Sequence, residues 1–254
     1  MIKGIAVFLV ALVWLGGGAP ARAQAAWSSR SELGFVAARG NTSTESANAK
    51  FEIVRDSHKW KNTFGASGLY GKTNAIQSAQ RWDARDQLDH LFSERSFWFG
   101  AVRYEDDRFS GFDYQATVSA GIGRKFIDSE RTKFAAQIGF GYRLLAPEDL
   151  VRDATGDVIE RIVGPRESDL VGNGAFTFEH SFNDATKVLD SLLLESGDTN
   201  TSTKNDLALQ VKMTRVLAIS LGVSVRYNSL PQDGLKKTDT LSTVNLVYVS
   251  KPGA

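Results

Sequence analysis

The sequence predicts an all-β fold: a twelve-stranded antiparallel transmembrane β-barrel of the outer-membrane type, preceded by a cleaved signal peptide. Three observations predict this class. Apolar and polar residues alternate with a period of two along most of the 254-residue chain, as they do in a strand whose two faces meet different surroundings. The alternating segments are about nine to fourteen residues long, which suits a tilted strand crossing a bilayer. Short turns alternate with longer polar connections.

The first 25 residues have the order of a secretory signal peptide. Lys3 supplies a positive start, residues 5–15 are apolar, and Ala23 and Ala25 both fit a small-residue cleavage site. Cleavage after either alanine is compatible with the sequence. The apolar segment is too short for the ~20 residues of a spanning helix, which favours a cleaved signal over a membrane anchor. Residues 26–254 then form the barrel domain.

Charge and cysteine content exclude several classes of protein. The chain has 30 basic and 29 acidic residues and therefore lacks the basic excess expected of a nucleic-acid-binding protein. It has no cysteine, which excludes disulfide bonds, thiolate metal sites and cysteine nucleophiles. No apolar run of spanning length follows the signal segment, so a membrane-embedded mature chain must cross with strands.

The alternation is clearest in residues 217–227. Leu217, Ile219 and Leu221 alternate there with Ser220 and Gly222. Asp86 and His90 interrupt the apolar face of residues 82–92, which leaves the register of that strand open. The twelve predicted strands are residues 31–38, 46–55, 59–71, 82–92, 97–106, 112–126, 132–143, 167–182, 187–196, 204–213, 217–227 and 238–249.

The connections between these strands fall into two groups. Five are short turns, near residues 56–58, 93–95, 128–130, 183–184 and 214–215. Six are longer and polar: residues 39–45, 72–80, 106–111, 144–166, 197–203 and 229–237. Outer-membrane barrels have short periplasmic turns and longer extracellular loops, so both termini are expected in the periplasm.

Aromatic residues near strand ends are expected on the apolar face, where girdles meet the lipid headgroups. The candidates are Trp60, Tyr70, Trp82, Trp98, Tyr104, Tyr142, Tyr227 and Tyr248. A soluble barrel with aromatic strand ends is the alternative. The other face favours the membrane, because glycines such as Gly65, Gly121 and Gly139 suit an interior that leaves room for long charged neighbours.

The polar face is expected to line the barrel lumen. Its charged residues are Glu32, Lys50, Glu52, Arg85, Asp89, Arg103, Glu105, Lys133, Arg143, Asp169, Glu179, Lys204, Asp206, Lys212, Arg226 and Asp239. Their signs are mixed, so they either fill the barrel with ion pairs or line a narrow wet channel. Eight strands leave no aqueous lumen and sixteen leave a wide one, so twelve strands do not decide between these two interiors. We favour a narrow or occluded lumen.

Neither a catalytic site nor a metal site is predicted. His180, Ser181 and Asn183 have the residue types of a nucleophilic site, but adjacent strand residues point to opposite faces, and this segment leads into a predicted periplasmic turn. Glu105, with residues 106 and 107, offers clustered carboxylates for a divalent cation. We favour the solvated start of a loop, with Arg103 and Arg108 as the cations that pair with these carboxylates.

The chain resembles the YdiY-like family of putative salt-induced outer-membrane proteins, which is grouped as a domain of unknown function. The resemblance rests on the stretches 39–42, 107–113 with 121–123, and 228–240, and it extends over residues 27–249. It implies an outer-membrane barrel with no cofactor and no established catalytic residues. Many such barrels end on an aromatic residue that the barrel-assembly machinery reads. Tyr248 is the candidate here, although the chain continues to Ala254.

Three functions are compatible with these features. The leading one is a non-enzymatic barrel, either a narrow channel for small solutes or ions or an envelope component linked to salt or osmotic stress. The second is an outer-membrane lipid-modifying enzyme, and the third a barrel that binds a surface partner through loop 144–166. The expected partners are outer-membrane lipid, the barrel-assembly machinery and small solutes or ions, and not nucleic acid.

Overall fold

The computed structural model describes residues 26–38, 44–74, 76–107, 112–152, 158–231 and 236–250. The predicted signal peptide, the stretch 39–42, parts of the other two resemblance segments and the four C-terminal residues lie outside this range. The described residues form thirteen strands: β1 Ala26–Ala38, β2 Thr44–Asp56, β3 Trp60–Thr73, β4 Ile76–Leu91, β5 Ser96–Asp107, β6 Phe112–Asp128, β7 Thr132–Arg152, β8 Val158–Val163, β9 Glu167–Ser181, β10 Thr186–Gly197, β11 Thr201–Lys212, β12 Leu217–Asn228 and β13 Thr238–Ser250.

Twelve of these strands form a closed antiparallel ring. Each pairs with its neighbours in chain order, with β7 adjacent to β9, and β1 pairs with β13 to close the ring. Leu33 opposite Leu246 and Gly34 opposite Asn245 mark the register of this closing pair. The predicted twelve-stranded barrel is confirmed. Among the described residues, no helix is long and apolar enough to cross a membrane.

The thirteenth strand corrects one prediction. Residues 144–166 were expected to form a loop, but β7 continues to Arg152 and β8 pairs back onto it as a hairpin outside the ring. The hydrogen bond from the Gly164 N–H to the Pro147 carbonyl, 2.8 Å, closes the base of this hairpin. β8 pairs with β7 and with no other ring strand, and residues 144–166 have no consistent apolar alternation that would mark a strand.

Two other expected loops are also shorter than predicted. The strands β3 and β4 replace most of the loop 72–80, and the turn between them contains Asn74 with a φ of 51°. Asparagine tolerates this left-handed conformation better than most residues do. Only residues 198–200 separate β10 from β11, where the sequence predicted 197–203. We call this end of the barrel the loop end and the opposite end, with the five short turns and the start of β1, the turn end.

The outer wall carries the apolar residues. Phe140, Leu170 and Phe35 are 82%, 75% and 69% exposed, which suits contact with hydrocarbon. Asp86 also lies on this wall, so the regular alternation of β4 continues through it. The Asn62 amide donates a hydrogen bond to its carboxylate at 2.9 Å. A second lipid-facing carboxylate, Asp190, accepts from Asn205 at 2.7 Å in the same way. These neutral donors reduce the cost of a carboxylate on an apolar surface.

Two aromatic rings pack inside the barrel near the turn end. Phe97 and Phe99 point inward and are 6% and 4% exposed. A β-carbon on Gly123 would overlap the Phe97 ring, and one on Gly121 or Gly139 would overlap Phe99. The expectation that these glycines accommodate charged neighbours is therefore wrong for this group, because they make room for aromatic rings. It is right for Gly65, which lies against the Arg85 side chain.

Candidate functional site

Charged side chains from opposite walls meet inside the barrel. Glu105 points inward from β5 because its neighbours Tyr104 and Asp106 occupy the other face of that strand. Arg226 points inward from β12, and its guanidinium lies 2.5 Å from Glu105. Five strands separate β5 from β12 in either direction around the ring. A contact between these two side chains must therefore cross the lumen.

A second contact crosses the lumen one strand further along. The Asp83 carboxylate on β4 lies 3.7 Å from the Lys204 ammonium on β11, the strand diametrically opposite. The same carboxylate lies 3.6 Å from Arg226. Asp83 and Glu105 thus hold Arg226 from two neighbouring strands of the facing wall.

Four further residues extend the contacts sideways. Arg103 contacts Glu105 at 3.1 Å and also contacts Glu195 on β10. Asp206 lies 3.6 Å from Lys204 and 3.8 Å from Lys50 on β2. We call the whole network the ion-pair bridge; its residues are Lys50, Asp83, Arg103, Glu105, Glu195, Lys204, Asp206 and Arg226.

The ion-pair bridge has four positive and four negative side chains, so its formal charge is zero. Most of them are well shielded: the side chains of Glu195 and Glu105 are 5% and 14% exposed. In such a setting each charge interacts strongly with its partners, and removing one partner leaves the other poorly compensated. The bridge therefore narrows the lumen and sets its local charge.

A cavity of about 80 Å³ lies at the bridge and extends to the loop end. Arg103, Lys204 and Arg226 line its inner side, and Lys236 and Lys237 line it near the mouth. A water molecule needs roughly 10–15 Å³ by this kind of measure, so the cavity accommodates a few waters or a small solute.

One wall of the loop end is fixed by a fully buried arginine. Arg143 on β7 is 0% exposed and donates from Nε and Nη2 to the Asp169 carboxylate at 3.0 and 2.7 Å. Nη2 also donates to the Asn200 carbonyl at 2.9 Å, and the Thr199 hydroxyl donates to Asp169 at 2.7 Å. This arginine ties the short connection between β10 and β11 to the barrel wall, so Asn200 lines the cavity.

The other predicted lumen residues lie outside the ion-pair bridge. Glu32 belongs to a polar group near the turn end, where Arg30 contacts it at 2.7 Å and Asn245 donates to it at 3.0 Å. Arg85 pairs with Glu52 at 2.8 Å, with both side chains largely open to solvent. Asp89 is buried and accepts a hydrogen bond from the Gln87 side chain. Glu179 pairs with Lys187. The last three are exposed near strand ends: Lys133, Lys212 and Asp239.

Sequence reasoning missed two members of the bridge. Asp83 was on the polar side of its strand but was not singled out, because no partner for it was visible. Glu195 was missed because residues 192–194 are all leucine and hide the alternation of β10. Only the register of β10 against β9 in the structure places Glu195 on the inner face, opposite Asn173.

The predicted girdle residues lie on the outer wall in two belts. Trp60, Trp98 and Tyr248 lie near the turn end, each about half exposed. Five others lie near the loop end: Tyr70, Trp82, Tyr104, Tyr142 and Tyr227. Tryptophan thus dominates one belt and tyrosine the other, and each ring has an apolar body with a polar edge that suits a membrane interface.

The weighed catalytic and metal candidates take other positions. His180 faces the outer wall, where its ring stacks on Phe178 at 6.5 Å and its Nδ1 lies 2.9 Å from the Thr132 hydroxyl. Glu105 is held by two arginines, and residue 107 pairs with Arg81 at 3.3 Å. Within the described ranges, no group of three histidines or carboxylates is arranged to hold a metal ion.

A closed antiparallel ring with an apolar outer wall and a charged interior defines a transmembrane β-barrel of the outer-membrane type. Residues 31–249 match the family described as "Protein of unknown function, DUF481", and the chain belongs to this family. It is 21% identical over 230 residues to the uncharacterized protein YdiY of Escherichia coli (strain K12), which covers 90% of this chain and 85% of YdiY.

Two solved structures illustrate the fold. The translocator domain of the autotransporter NalP from Neisseria meningitidis has a TM-score of 0.46 at 14% identity, covering 88% of this chain and 87% of that domain. The COG4313 outer membrane channel from Pseudomonas putida F1 has a TM-score of 0.46 at 10% identity, covering 89% of this chain and 95% of the channel.

Proposed function

We propose that this protein is a non-enzymatic outer-membrane barrel that forms a narrow passage for small ions and solutes, with the ion-pair bridge as its constriction. The observation that carries this function is the set of contacts from Glu105 to Arg226 and from Asp83 to Lys204 across the lumen. A twelve-stranded ring is wider than one that side chains alone fill. The bridge narrows that ring while keeping it polar.

The proposed location follows from the outer wall and the termini. The apolar wall with its two aromatic belts suits a lipid bilayer, and the signal peptide predicted at residues 1–25 would direct export. The turn end would then face the periplasm and the loop end the exterior. Tyr248, near the end of the last strand, is the proposed contact for the barrel-assembly machinery.

Opposite changes of ion selectivity test the passage and its constriction together. Because the bridge is neutral, Glu105→Gln leaves a net positive constriction and should favour anions, whereas Arg226→Gln leaves a net negative one and should favour cations. Both changes remove a cross-lumen contact, so both should enlarge the conductance step. The measurement is single-channel recording of purified mature protein in planar bilayers, with reversal potentials under a salt gradient.

Arg55→Gln is the matched control, since Arg55 lies on the outer wall over the Trp27 ring. It removes one positive charge without touching the lumen and should leave both the conductance and the selectivity unchanged. Heat-shifted gel mobility checks that each variant is folded. Wild-type protein and folded bridge variants that are all electrically silent would overturn the proposed passage.

A link to salt or osmotic stress is proposed from the family resemblance alone. Transcript levels after a rise in sodium chloride, compared with an osmotically matched sugar, test it. Induction by salt only would support an ionic trigger, and induction by both an osmotic one. Unchanged transcript levels in both media would remove the link.

A further inference from the structure

An aromatic arc follows the loop end of the outer wall across four neighbouring strands. It consists of Tyr70 on β3, Trp82 on β4, Tyr104 on β5 and Tyr114 on β6. The Trp82 and Tyr104 ring centroids are 4.9 Å apart, and the Tyr104 and Tyr114 rings are stacked 5.9 Å apart with only 7° between their planes. These three rings form a platform at the edge of the apolar band, and Tyr70 lies beside it on β3, two residues beyond Gly68, which pairs with Trp82.

A cation stands over each end of the arc. The Lys72 ammonium lies 5.6 Å from the Tyr70 ring centroid, and the Arg166 guanidinium lies 6.0 Å from that of Tyr114. The attraction of each cation to its ring holds it near the platform. Lysine and arginine are the side chains that bind phosphate groups, arginine through its fork of donors and lysine as a point charge.

The middle of the arc has the opposite charge. Asp106 shares the outer face of β5 with Tyr104 and lies opposite Trp82 in the strand pairing. It has interactions of its own, but its carboxylate still disfavours an anionic group at the centre of the platform. Glu45 on β2 lies opposite Lys72 in the strand pairing, so an anionic ligand group at that end competes with this carboxylate for the cation. With Asp106 at the centre and a cation at either end, the surface favours a ligand with a neutral middle and a negative group at each end. Sugar rings suit the middle, because their polarised C–H faces pack against aromatic rings.

An apolar groove continues from the same arc into the band. It is an open depression of about 610 Å³, lined mainly by Tyr70 with Leu33, Phe35, Ala47, Ala49 and Gly68, and its lining also includes the polar residues Gln80 and Arg81. The small residues at its floor make it a depression between the large side chains of Leu33, Phe35 and Tyr70. An acyl chain fits such a surface, so Tyr70 lies at the boundary between a surface for a lipid headgroup and a surface for its acyl chain.

We propose that the arc and groove bind a phosphorylated glycolipid of the outer leaflet: its sugars on the aromatic rings, its phosphates at Lys72 and Arg166, and an acyl chain in the groove. This assignment rests on the proposed placement of the barrel, with the loop end facing outward. It is independent of conduction, because none of these residues lines the ion-pair bridge.

Thermal unfolding of purified mature protein in neutral detergent tests the site. The probes are a glycolipid with a phosphate at each end of its sugar headgroup, the same lipid after enzymatic dephosphorylation, a zwitterionic phospholipid and inorganic phosphate. At a concentration 100-fold above its dissociation constant, the doubly phosphorylated lipid should raise the unfolding temperature by roughly 5–10 °C. The other three probes should raise it little. An equal rise with inorganic phosphate would overturn the lipid assignment.

The variants separate the two parts of the site. Lys72→Gln with Arg166→Gln should weaken binding at least about tenfold, since each charged contact is lost. Gly68→Leu should also weaken it, because the side chain fills the groove, and only the Arg81 carbonyl lies within 4 Å of the added carbon. Arg55→Gln removes the equivalent cation over Trp27 at the turn end and should bind as wild type does. If all variants bind equally, the site is wrong even where the channel recordings succeed.

Discussion

Individual residues contribute most to the stability of this barrel where their charges are buried. Arg143 is enclosed completely, and its partner Asp169 has a side chain only 4% exposed. By contrast, the side chains of Arg85 and Glu52 are 56% and 37% exposed, although their 2.8 Å contact is equally close. Two ion pairs with similar distances therefore contribute differently to stability, because water screens the Arg85–Glu52 pair and not the Arg143–Asp169 pair.

Arg143→Met should destabilise the barrel by about 3–5 kcal/mol, since it leaves the Asp169 carboxylate buried with fewer donors. The control Arg85→Met should cost only about 0–1 kcal/mol. Urea unfolding in detergent micelles, followed by tryptophan fluorescence, gives both values. Arg143→Met combined with Asp169→Leu should recover part of the loss. Equal losses for the two single variants would contradict this account of Arg143.

At the scale of elements, each ring strand is held by pairing with its ring neighbours, whereas the β7–β8 hairpin lies outside that closed pairing. β8 pairs only with the extension of β7, and its pairing ends where Glu148 lies opposite Val163. Every ring strand instead has two partners within the ring, and the ring has no free edge. The hairpin is therefore an addition to a barrel that is already closed.

Replacing residues 149–162 by Asn-Gly should leave the barrel folded. Glu148 and Val163 are already paired, so a two-residue turn can join them. The Arg161–Glu148 contact of 2.8 Å is lost. Because removing the hairpin also opens the Glu148 carboxylate to water, which can solvate it, the unfolding temperature should fall by less than about 4 °C. Heat-shifted gel mobility checks the fold. A variant that no longer shifts would mean that the hairpin is needed for closure.

At the scale of the whole molecule, the two ends of the barrel differ in what they expose. The turn end has five tight turns and both ends of the described chain, and the loop end has the hairpin, the cavity mouth and the aromatic arc. The orientation proposed from this difference is open to direct measurement. The sequence helps, because it contains no cysteine and any introduced thiol is a unique label.

Asp198→Cys at the loop end and Glu130→Cys at the turn end report the orientation. Both positions are exposed and lie in connections between ring strands. A membrane-impermeant maleimide should label Asp198→Cys on intact cells and Glu130→Cys only after the outer membrane is permeabilised. The reverse pattern would show that the proposed orientation is inverted.

Alternation predicted much of the molecule because each residue's face follows from its position in one strand. Lys50, Arg103, Glu105 and Arg226 were all expected in the lumen on this ground. The β7–β8 hairpin escaped prediction because alternation is weak where neither face meets lipid. Phe97 and Phe99 escaped it because an inward aromatic ring is acceptable only opposite glycines on neighbouring strands, which one strand's pattern does not reveal.

The sequence by itself determined the class of fold, the ring strands and the face on which most charges lie. Only the tertiary structure decided which of those charges meet. Glu105 and Arg226 are 121 residues apart in the chain, and nothing local links them. They meet because the pairing of β1 with β13 closes the sheet and brings opposite walls within reach of two long side chains, which turns a set of balanced charges into a constriction.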